Sequence, residues 1–588
     1  MNRINMPNQK MQYGKLPDFF KNANDKYNCL LYAIIGATLF LLVYGITPLI
    51  VTNDHWILNG YVENDVIQHY TGWMAFRQSD WSMPLGKIDG LGGTTLTYTD
   101  SIPWISIILK LFSPLLPSVF QYFGWYIFLT FILQATASGM LIKKVTENEI
   151  LTYGGILLFT LSPIMMERAF RHTALASHWL ITFSLYLYFS ARENKKLSAK
   201  FILLAAVSIG IHPYFLPMVF GIMACGWAEN SLKKRETILH NSGVLAISLV
   251  LTVAAGYLIG ALGPSTNLGG DGYGYYSMNL NAPFNPISCG DIKWSAFLPV
   301  FPQILGNYDG FNYLGLGVIA LIVISTGIFM YKKELLTEIQ NNVWLLLLGL
   351  CFTLFAISNV MTFHDAILIE YPLPDFLMSF AAIFRASSRM FYPVYYLLIL
   401  LGLKGLSYLN IKMCTAIMIL LAAIQVVDIV PGLITKHMSF DLNHIEEYYR
   451  ENEFNTASWK EIFNKCSGIK LLNGIRDYKL AAFCKKNGWK VDMSISSSHF
   501  GGADDLSSQY QANNNEIRTG SVGNTVYITD DIDLACTLIY ENNNMTAYRM
   551  GNFLALISND IEITAGELFD VSAGHAPVSP DISEEVVE

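Results

Sequence analysis

The residues best suited to chemistry stand shortly after the first apolar segment, where Glu63 and Asp65 are separated by one residue. Asp65, Gln68 and His69 follow one another at spacings of three and four, so a helix would present them on one face. A carboxylate held there could act as a general base toward an acceptor hydroxyl. The alternative is that both acids only cap a helix at the membrane surface.

The same acids could also serve as metal ligands, because hard divalent cations bind carboxylate oxygens. If a divalent cation such as Mg²⁺ or Mn²⁺ is bound, Glu63 and Asp65 are its candidate ligands. A third acid, Asp100, follows in the string TDSIPW and directly precedes an apolar run. That position is typical of a helix N-cap, and a contact with substrate is the competing role.

Two groups of basic residues could bind an anionic substrate. In the first group, Arg168, Arg171 and His172 stand at the edge of an apolar segment. Charges there are costly unless they meet an anion or an acid, and the planar fork of arginine suits phosphate oxygens. A salt bridge to the neighbouring Glu167, or contact with lipid headgroups, is the competing explanation.

The second basic group consists of Arg385 and Arg389, which stand just before another apolar segment. Their spacing of four predicts that they share one helix face at the membrane surface. Two fixed positive charges there could hold the phosphate or pyrophosphate of a lipid-linked substrate. Contact with ordinary phospholipid headgroups is the simpler alternative.

A long segment around residues 270–313 combines aromatic rings with amides and glycines, notably at Tyr276, Asn279 and Asn281. Aromatic faces can stack on sugar rings while amides bond to sugar hydroxyls, so these three residues are candidates for sugar binding. The alternative origin of this composition is an aromatic belt at a membrane interface.

Membrane helices must position these residues. The chain is 52% hydrophobic and 14% charged, with a mean hydropathy of +0.36, whereas soluble proteins are roughly 25% charged. Several nearly uncharged segments are long enough to cross a bilayer as helices. We predict a mainly α, polytopic membrane protein with eleven transmembrane helices, over residues 29–51, 119–142, 149–165, 174–191, 201–211, 215–228, 242–262, 313–331, 342–358, 390–403 and 413–431.

Loop charges predict the orientation of this bundle. The loops on one side hold 18 lysines and arginines, and the loops on the other side hold 8. Because cytoplasmic loops are enriched in basic residues, the first set, which includes the N-terminus, should be cytoplasmic. Eleven spans then put the C-terminal part outside, and the predicted location is the inner (plasma) membrane of a bacterial cell.

Charge also divides the chain into domains. Residues 432–588 hold 12 basic and 23 acidic residues, whereas the first 431 residues hold 26 and 23. Nothing in this composition is basic enough to indicate nucleic-acid binding. The predicted organisation is a cytoplasmic segment over 1–28, a transmembrane domain over 29–431, a small extracytoplasmic α/β domain over 432–573, and a disordered acidic tail over 574–588.

Cysteine usage adds one expectation for the soluble domain. Three of the eight cysteines fall there: Cys466, Cys484 and Cys536. One disulfide could form among them if the domain is extracytoplasmic.

The whole pattern resembles the C-type (GT-C) superfamily of membrane glycosyltransferases, which use polyprenyl-phosphate sugars as donors. The shared features are many spans, a long first external loop with an acidic pair, and a soluble external C-terminal domain. The resemblance implies that Asp65 is the catalytic base and Glu63 its companion. More closely, the chain resembles a bacterial multi-spanning family of this type through the strings GWMAFRQSDWSMPLG, TDSIPW, FRHTALASHW, GYYSMNLNAPFNP, YDGFNYLGLG and FRASSRMFYPVYY.

This resemblance implies transfer of a sugar from a polyprenyl-phosphate donor to a cell-envelope glycan or lipid-linked acceptor, as in the modification of O-antigen. The reaction would take place at the extracytoplasmic face of the lipid membrane. Arginines would stabilise the leaving phosphate, and the candidates are Arg168, Arg171, Arg385 and Arg389.

Three other functions stay open at this point. A ligase or polymerase of lipid-linked polysaccharide would depend on Arg171 and His172 more than on Asp65. A transporter or flippase for a lipid-linked sugar should contain charged or discontinuous segments at mid-membrane, and the His212-Pro213 break is a hint of one. A structural or interaction protein acting through its C-terminal domain is the third.

Overall fold

The computed structural model of the chain describes residues 18–58, 64–89, 94–262, 272–493 and 503–570. The chain is mostly helical, at 62%, as the sequence predicts. The helices up to residue 438 are α1 (Asp18–Tyr44), α2 (His55–Leu58), α3 (Asn64–Gln78), α4 (Pro103–Leu111), α5 (Phe123–Ile142), α6 (Glu149–Thr160), α7 (Pro163–Arg168), α8 (Trp179–Asn194), α9 (Lys200–Ile209), α10 (Phe215–Lys233), α11 (Ile238–Ile259), α12 (Leu316–Lys332), α13 (Leu335–Asn341), α14 (Val343–Ile357), α15 (Asp375–Ala382), α16 (Tyr392–Leu406) and α17 (Ile411–Met438).

Among the described residues, five helical segments are long and apolar enough to cross a membrane. They are Tyr27–Tyr44, Phe123–Ile142, Glu149–Arg168, Arg235–Ile259 and Ile411–Met438. Two further pairs of helices reach the required length only together. These pairs are α12 with α13, bent by 105°, and α15 with the helical segment 387–406, bent by 75°.

The prediction of eleven spans is therefore too high, since the described part of the chain supports five to seven. The excess arises where apolar segments fold into helices that are short for a bilayer. α9 has 10 residues and α14 has 15, whereas a span needs about 20. The predicted side of each loop was obtained by alternating across eleven spans, so the orientation of the chain in the membrane stays a prediction.

Small residues allow α1 and α5 to approach closely. A Cβ atom on Gly36 would lie 2.5 Å from the carbonyl oxygen of Phe131, and one on Gly139 would lie 2.3 Å from the ring of Tyr32. Close backbone approach of this kind is the usual basis of helix association in lipid. α5 also packs against α6 and α8 and so forms the centre of the bundle.

A β-hairpin connects α14 to α15. Its strands are β1 (Val360–Phe363) and β2 (Ala366–Glu370), which pair antiparallel with an irregularity between Met361 and Thr362. This hairpin lies at the same end of the bundle as the start of α16.

The small sheet predicted near the C-terminus is present in the part of the chain that follows α17, called here the C-terminal domain. Its strands occur in the order β3-β4-β6-β5-β7, with β3 and β4 parallel and the other pairs antiparallel. The elements are α18 (Leu442–Glu451), α19 (Ala457–Lys465), β3 (Gly468–Leu471), α20 (Tyr478–Lys486), α21 (Ala503–Arg518), β4 (Thr525–Thr529), α22 (Ile532–Glu541), β5 (Met545–Met550), β6 (Phe553–Ser558) and β7 (Glu567–Leu568).

Three structural details differ from the sequence expectations. α17 continues to Met438, so the helical body ends later than residue 431. The sequence pattern over residues 446–464 predicts one helix, whereas the structure divides this segment between α18 and α19 with a 3-10 turn at Glu453–Asn455. Cys466, Cys484 and Cys536 form no disulfide with one another, so the disulfide considered for the C-terminal domain is not formed. The predicted tail over 574–588 lies outside the described residues.

The C-terminal domain docks on α3 through α20. The Nζ atom of Lys486 lies 3.0 Å from Oδ1 of Asp54, and the hydroxyl of Tyr70 donates to Oδ2 of the same carboxylate at 3.0 Å. Gln78, at the end of α3, donates to the carbonyl of Lys485 at 3.0 Å. Asp54 is 1% exposed, so this acid depends on partners from both sides of the contact.

A second contact joins α2 to α18. The ring of His55 stacks on Tyr449 with centroids 3.7 Å apart, and its Nδ1 lies 2.8 Å from Oε1 of Glu446. Asn452 donates to the carbonyl of Leu58 at 2.7 Å. The polar segment around α3 is thus held between the helical body and the C-terminal domain.

Candidate functional site

The first feature of the site is a carboxylate–imidazole pair. Asp65 lies in the first turn of α3, and its Oδ2 is 2.9 Å from Nδ1 of His172, which follows α7. The Asp65 side chain is 37% exposed and that of His172 is 19% exposed, so a substrate can reach the pair. Burial opposes ionisation of Asp65, but His172, His69 and Arg171 outweigh it and hold the pKa of Asp65 well below its usual range.

His69 stands one turn after Asp65 on α3, and it is 1% exposed. Burial lowers the pKa of His69 to about 3, so the ring is neutral. Neither of its ring nitrogens has a hydrogen-bond partner among the described residues. A buried imidazole without partners is uncommon, and it leaves one donor and one acceptor beside Asp65.

Asp309 is the centre of the arginine cluster. Its Oδ1 accepts from Nη1 of Arg168 at 2.6 Å, and its Oδ2 accepts from Nη2 of Arg389 at 2.9 Å. Nη2 of Arg171 lies 4.0 Å from Oδ1, and Nε2 of His172 lies 3.9 Å from the same atom. Although burial opposes ionisation, Arg168 and Arg389 lower the pKa of Asp309 well below its usual range.

Glu167 provides a second buried acid behind Asp309. Its Oε1 accepts from Nη1 of Arg171 at 2.8 Å, and its Oε2 accepts from Ser288 at 3.0 Å. The Nζ atom of Lys436, near the end of α17, lies 3.6 Å from Oε2. The salt bridge between Glu167 and Arg171, considered from sequence as an alternative to phosphate binding, is therefore present.

Asp100 is brought to the site by a tight loop. Ser101 donates to the carbonyl of His69 at 2.7 Å, and Gly72 makes room for this loop against α3. A Cβ on Gly72 would lie 2.3 Å from Oγ1 of Thr99 and 2.4 Å from Oγ of Ser101. Asp100 itself has φ of 52°, a left-handed conformation that costs a non-glycine residue energy and is often found at functional sites.

The environment of Asp100 differs from that of Asp65. Its Oδ1 lies 3.5 Å from Nε2 of His212, and the side chain is 31% exposed. Burial raises the pKa of Asp100 to about 7, with Asp65 adding to the rise while Arg389 and Arg385 oppose it. The sequence interpretation of Asp100 as an N-cap is wrong, because the helix begins after Ile102 without a side-chain cap.

Arg385 lies at the open side of the cluster, half-buried, with its guanidinium carbon 5.5 Å from the centre of the Tyr276 ring. The prediction that Arg385 and Arg389 share a helix face is wrong. Arg389 belongs to a short 3-10 helix over Ser387–Phe391, whereas Arg385 precedes it in a bend. The chain turns there because the amide of Ala386 donates to the hydroxyl of Tyr214 at 2.9 Å.

Two candidates from the amide-rich segment lie in the framework. Asn279 donates to Asn307 at 3.0 Å and to the carbonyl of His364 at 2.8 Å, and its oxygen accepts from the amide of Asn281. Asn281 donates to the carbonyl of Pro302 at 3.5 Å. Both side chains are buried, so they brace the loop that carries Asp309 instead of facing the opening beside Asp65.

The candidate metal ligands are covered only in part. Glu63 lies outside the described residues, so its position relative to Asp65 is not defined. Within the described ranges there is no group of three or more His, Cys, Asp or Glu side chains that could hold a metal ion.

Sequence reasoning missed two members of the cluster, Asp309 and His212. Asp309 was visible only as one acid in the string YDGFNY, and His212 only as part of a helix break. A usable signal did exist for the first. Buried arginines at a membrane edge need carboxylate partners, and few acids are available in the long loops.

The cluster carries an excess of positive charge. Arg168, Arg171, Arg385, Arg389 and Lys436 are opposed by the ionised acids Asp65, Glu167 and Asp309. Five cations against three anions leave two positive charges whenever Asp100 is protonated. A partly buried site with this imbalance favours an anionic ligand. The two acids of the site that a ligand can reach are Asp65 and Asp100.

Comparison with known protein families places most of the chain in one family. Residues 33–430 match the family described as "Domain of unknown function (DUF6311)". The match begins inside α1 and ends inside α17, so it covers every residue of the cluster except Lys436 and stops before the C-terminal domain. No curated protein matches the chain.

Proposed function

The chain belongs to the DUF6311 family, and we propose that it is a membrane glycosyltransferase acting on a polyprenyl-phosphate sugar donor. The acceptor is a cell-envelope glycan or lipid-linked glycan at the extracytoplasmic face. The observation that carries the proposal is the meeting of accessible carboxylates with excess cationic charge at one end of the helical bundle. Glycosyl transfer from a phosphate donor needs both: a base for the acceptor and positive charge for the leaving group.

The donor phosphate binds on the cationic side of the cluster. Arg385 is half-buried and open to ligand, and Arg389 keeps its Nε without a protein partner among the described residues. Arg168 and Arg171 are more fully engaged by Asp309 and Glu167. We therefore assign direct phosphate contact to Arg385 and Arg389. Arg168 and Arg171 contribute positive charge to the site without contacting the phosphate.

The transfer is a single displacement at the anomeric carbon. The acceptor oxygen forms the new bond, the bond from the anomeric carbon to the phosphate oxygen breaks, and the phosphate leaves with the electron pair. The acceptor proton passes to the carboxylate of Asp65, which is ionised at neutral pH and held in position by His172. Inversion at the anomeric carbon is expected of one displacement.

The function is tested by Asp65→Asn in cells whose surface glycan can be typed. Loss of a general base reduces rates by roughly 10²–10⁴-fold, so the added sugar should disappear from the glycan at equal protein level. Asp80→Asn is the matched control, because Asp80 is exposed just beyond the same helix. An unchanged glycan in the well-expressed Asp65→Asn strain would eliminate the base mechanism.

A lipid-linked polysaccharide ligase is the second candidate, favoured by the position of His172 between Asp65 and Asp309, at 2.9 Å and 3.9 Å. A pyrophosphate-linked substrate would use this imidazole and the arginines directly. Loss of the glycan with His172→Gln but not with Asp65→Asn would favour the ligase. Sugar transfer by purified protein in detergent would exclude a function limited to flipping lipid-linked sugars.

A further inference from the structure

The hairpin between α14 and α15 exposes apolar side chains on a scale unusual for an external loop. All five residues of β2 are exposed. Ile367, Leu368 and Ile369 are 53%, 56% and 53% exposed. Ile367 pairs with Thr362 and Ile369 with Met361, on either side of the irregularity at Leu368. Paired residues share a face and consecutive residues of β1 alternate, so Ile367 and Ile369 occupy opposite faces of the hairpin.

A hairpin with two apolar faces does not suit water. Antiparallel sheets that face solvent keep polar residues on that face, and a lone two-stranded hairpin is only marginally stable in water. Here, apart from its pairing with β1, β2 has no strand partner among the described residues. Its surroundings must therefore accept apolar side chains on both sides.

The hairpin is nevertheless held firmly, which shows that its exposure is not the result of a loose loop. The amide of Leu280 donates to the carbonyl of Thr362 at 3.0 Å, and Asn279 donates to the carbonyl of His364 at 2.8 Å. The hydroxyl of Thr362 donates to Oδ1 of Asn307 at 3.1 Å. β1 is thus anchored to the loop that carries Asp309, while β2 projects outward.

α15 extends the same apolar surface. Phe376 and Phe380 are four residues apart, on one side of the helix, and are 72% and 61% exposed. The chain then bends by 75° before the helical segment that begins at Ser387. Arg385 lies in this bend, so the apolar surface ends directly at the cationic side of the cluster.

We propose that residues 360–382 form an interfacial element that lies in the lipid bilayer, in contact with phospholipid chains and headgroups beside Arg385. The occupant of the apolar surface is bilayer lipid because the element is continuous with α14 and α16 at its two ends. Its turn carries His364 and Asp365, so the hairpin lies flat with the polar turn at the water boundary. The backbone groups on the free edge of β2 need hydrogen-bond partners, so the hairpin cannot lie at the hydrocarbon centre of the bilayer. It can lie at the membrane interface, where such partners are available. The inference does not depend on the proposed transfer reaction.

Photo-crosslinking in bilayers tests this placement. The photoreactive residue p-benzoylphenylalanine is introduced in place of Leu368 or, separately, Phe376 in the full chain. The protein is reconstituted in vesicles of phosphatidylethanolamine and phosphatidylglycerol, irradiated, and weighed by intact mass spectrometry. The same residue in place of Tyr540, which is 75% exposed on α22, is the control.

The expected result is a mass increase of one phospholipid at positions 368 and 376, at least five-fold more abundant than at position 540. A crosslink between two copies of the chain at position 368 would overturn the inference in favour of an oligomer interface. Lipid adducts no more abundant than at position 540 would also overturn it. Ile369 replaces Leu368 as the labelled position if that variant does not accumulate.

Discussion

Nε2 of His212 lies 3.5 Å from Oδ1 of Asp100, and the geometry defines which ring nitrogen carries the proton. The backbone amide of Tyr214 donates to Nδ1 of His212 at 3.2 Å, so Nδ1 is an acceptor. The proton of the neutral ring is then on Nε2, directed at Asp100. This pair connects the first long loop to the break between α9 and α10, and it stands opposite the Asp65–His172 pair.

Asp100→Asn should change the pH dependence of stability. The pKa of Asp100 is raised to about 7 by burial, against about 3.9 in an unfolded chain. Between these two pH values, the Asp100 carboxyl keeps its proton in the folded state and loses it in the unfolded state. The free energy of unfolding of the wild type therefore falls as pH rises from about 4 to about 7. We expect the variant to gain on the order of 1 kcal/mol relative to wild type at pH 8 compared with pH 5.

The measurement is thermal unfolding in detergent across this pH range. Asp365→Asn, at the exposed turn of the hairpin, is the control. Parallel pH profiles for wild type and Asp100→Asn would show that the carboxyl group does not titrate in this window.

Asp309→Asn should destabilise the protein severely. The substitution leaves the buried guanidinium groups of Arg168 and Arg389 without their carboxylate, and breaking a buried ion pair costs about 3–5 kcal/mol. The unfolding midpoint in detergent should fall accordingly, while Asp291→Asn, on a more exposed loop acid, should leave it unchanged. A fall of similar size in both variants would contradict a central role for Asp309.

Gly72→Ala tests the close packing that positions Asp100. Its Cβ would lie 2.3 Å and 2.4 Å from two side-chain oxygens, those of Thr99 and Ser101, and overpacking of this kind costs about 1–3 kcal/mol. Gly327→Ala is the matched control on α12, because no atom lies within 4 Å of its added Cβ. Equal unfolding temperatures for the two variants would mean that the loop adapts without strain.

Lys486→Ala should loosen the soluble domain from α3. Asp54 is 1% exposed and would keep its hydrogen bond from Tyr70 but lose its cation, at a cost of about 3–5 kcal/mol for a broken buried pair. Limited proteolysis should then cut the segment between α17 and α18 faster than in wild type. The exposed Lys490→Ala serves as control, and equal cleavage rates would show that the domain is held by other contacts.

The local part of the site was accessible from sequence, because it depends on spacing. Asp65 and His69 are one helical turn apart, and they do lie together at the start of α3. The basic string around Arg168 likewise marks a true member of the cluster. Local sequence spacing cannot identify an ion-pair partner that is distant along the chain. Asp309 is 141 residues from Arg168 and 80 residues from Arg389.

The span count failed for a different physical reason. An apolar run predicts burial, but it does not distinguish burial in lipid from burial in protein. α9 is as apolar as a span, yet it has only 10 residues and half of them are buried within the protein. The hairpin over 360–370 shows the reverse case, since residues predicted as an external loop carry an apolar surface of their own.

The Lys486–Asp54 contact has a consequence for dissecting the chain. The family match ends at residue 430, inside α17, which invites an expression fragment without the C-terminal domain. Such a truncation would remove the lysine that pairs with Asp54 and uncover the side of α3 on which α20 packs. We therefore expect a fragment that ends with the family match to unfold at a lower temperature than the full chain, because α3 loses its contacts with α20.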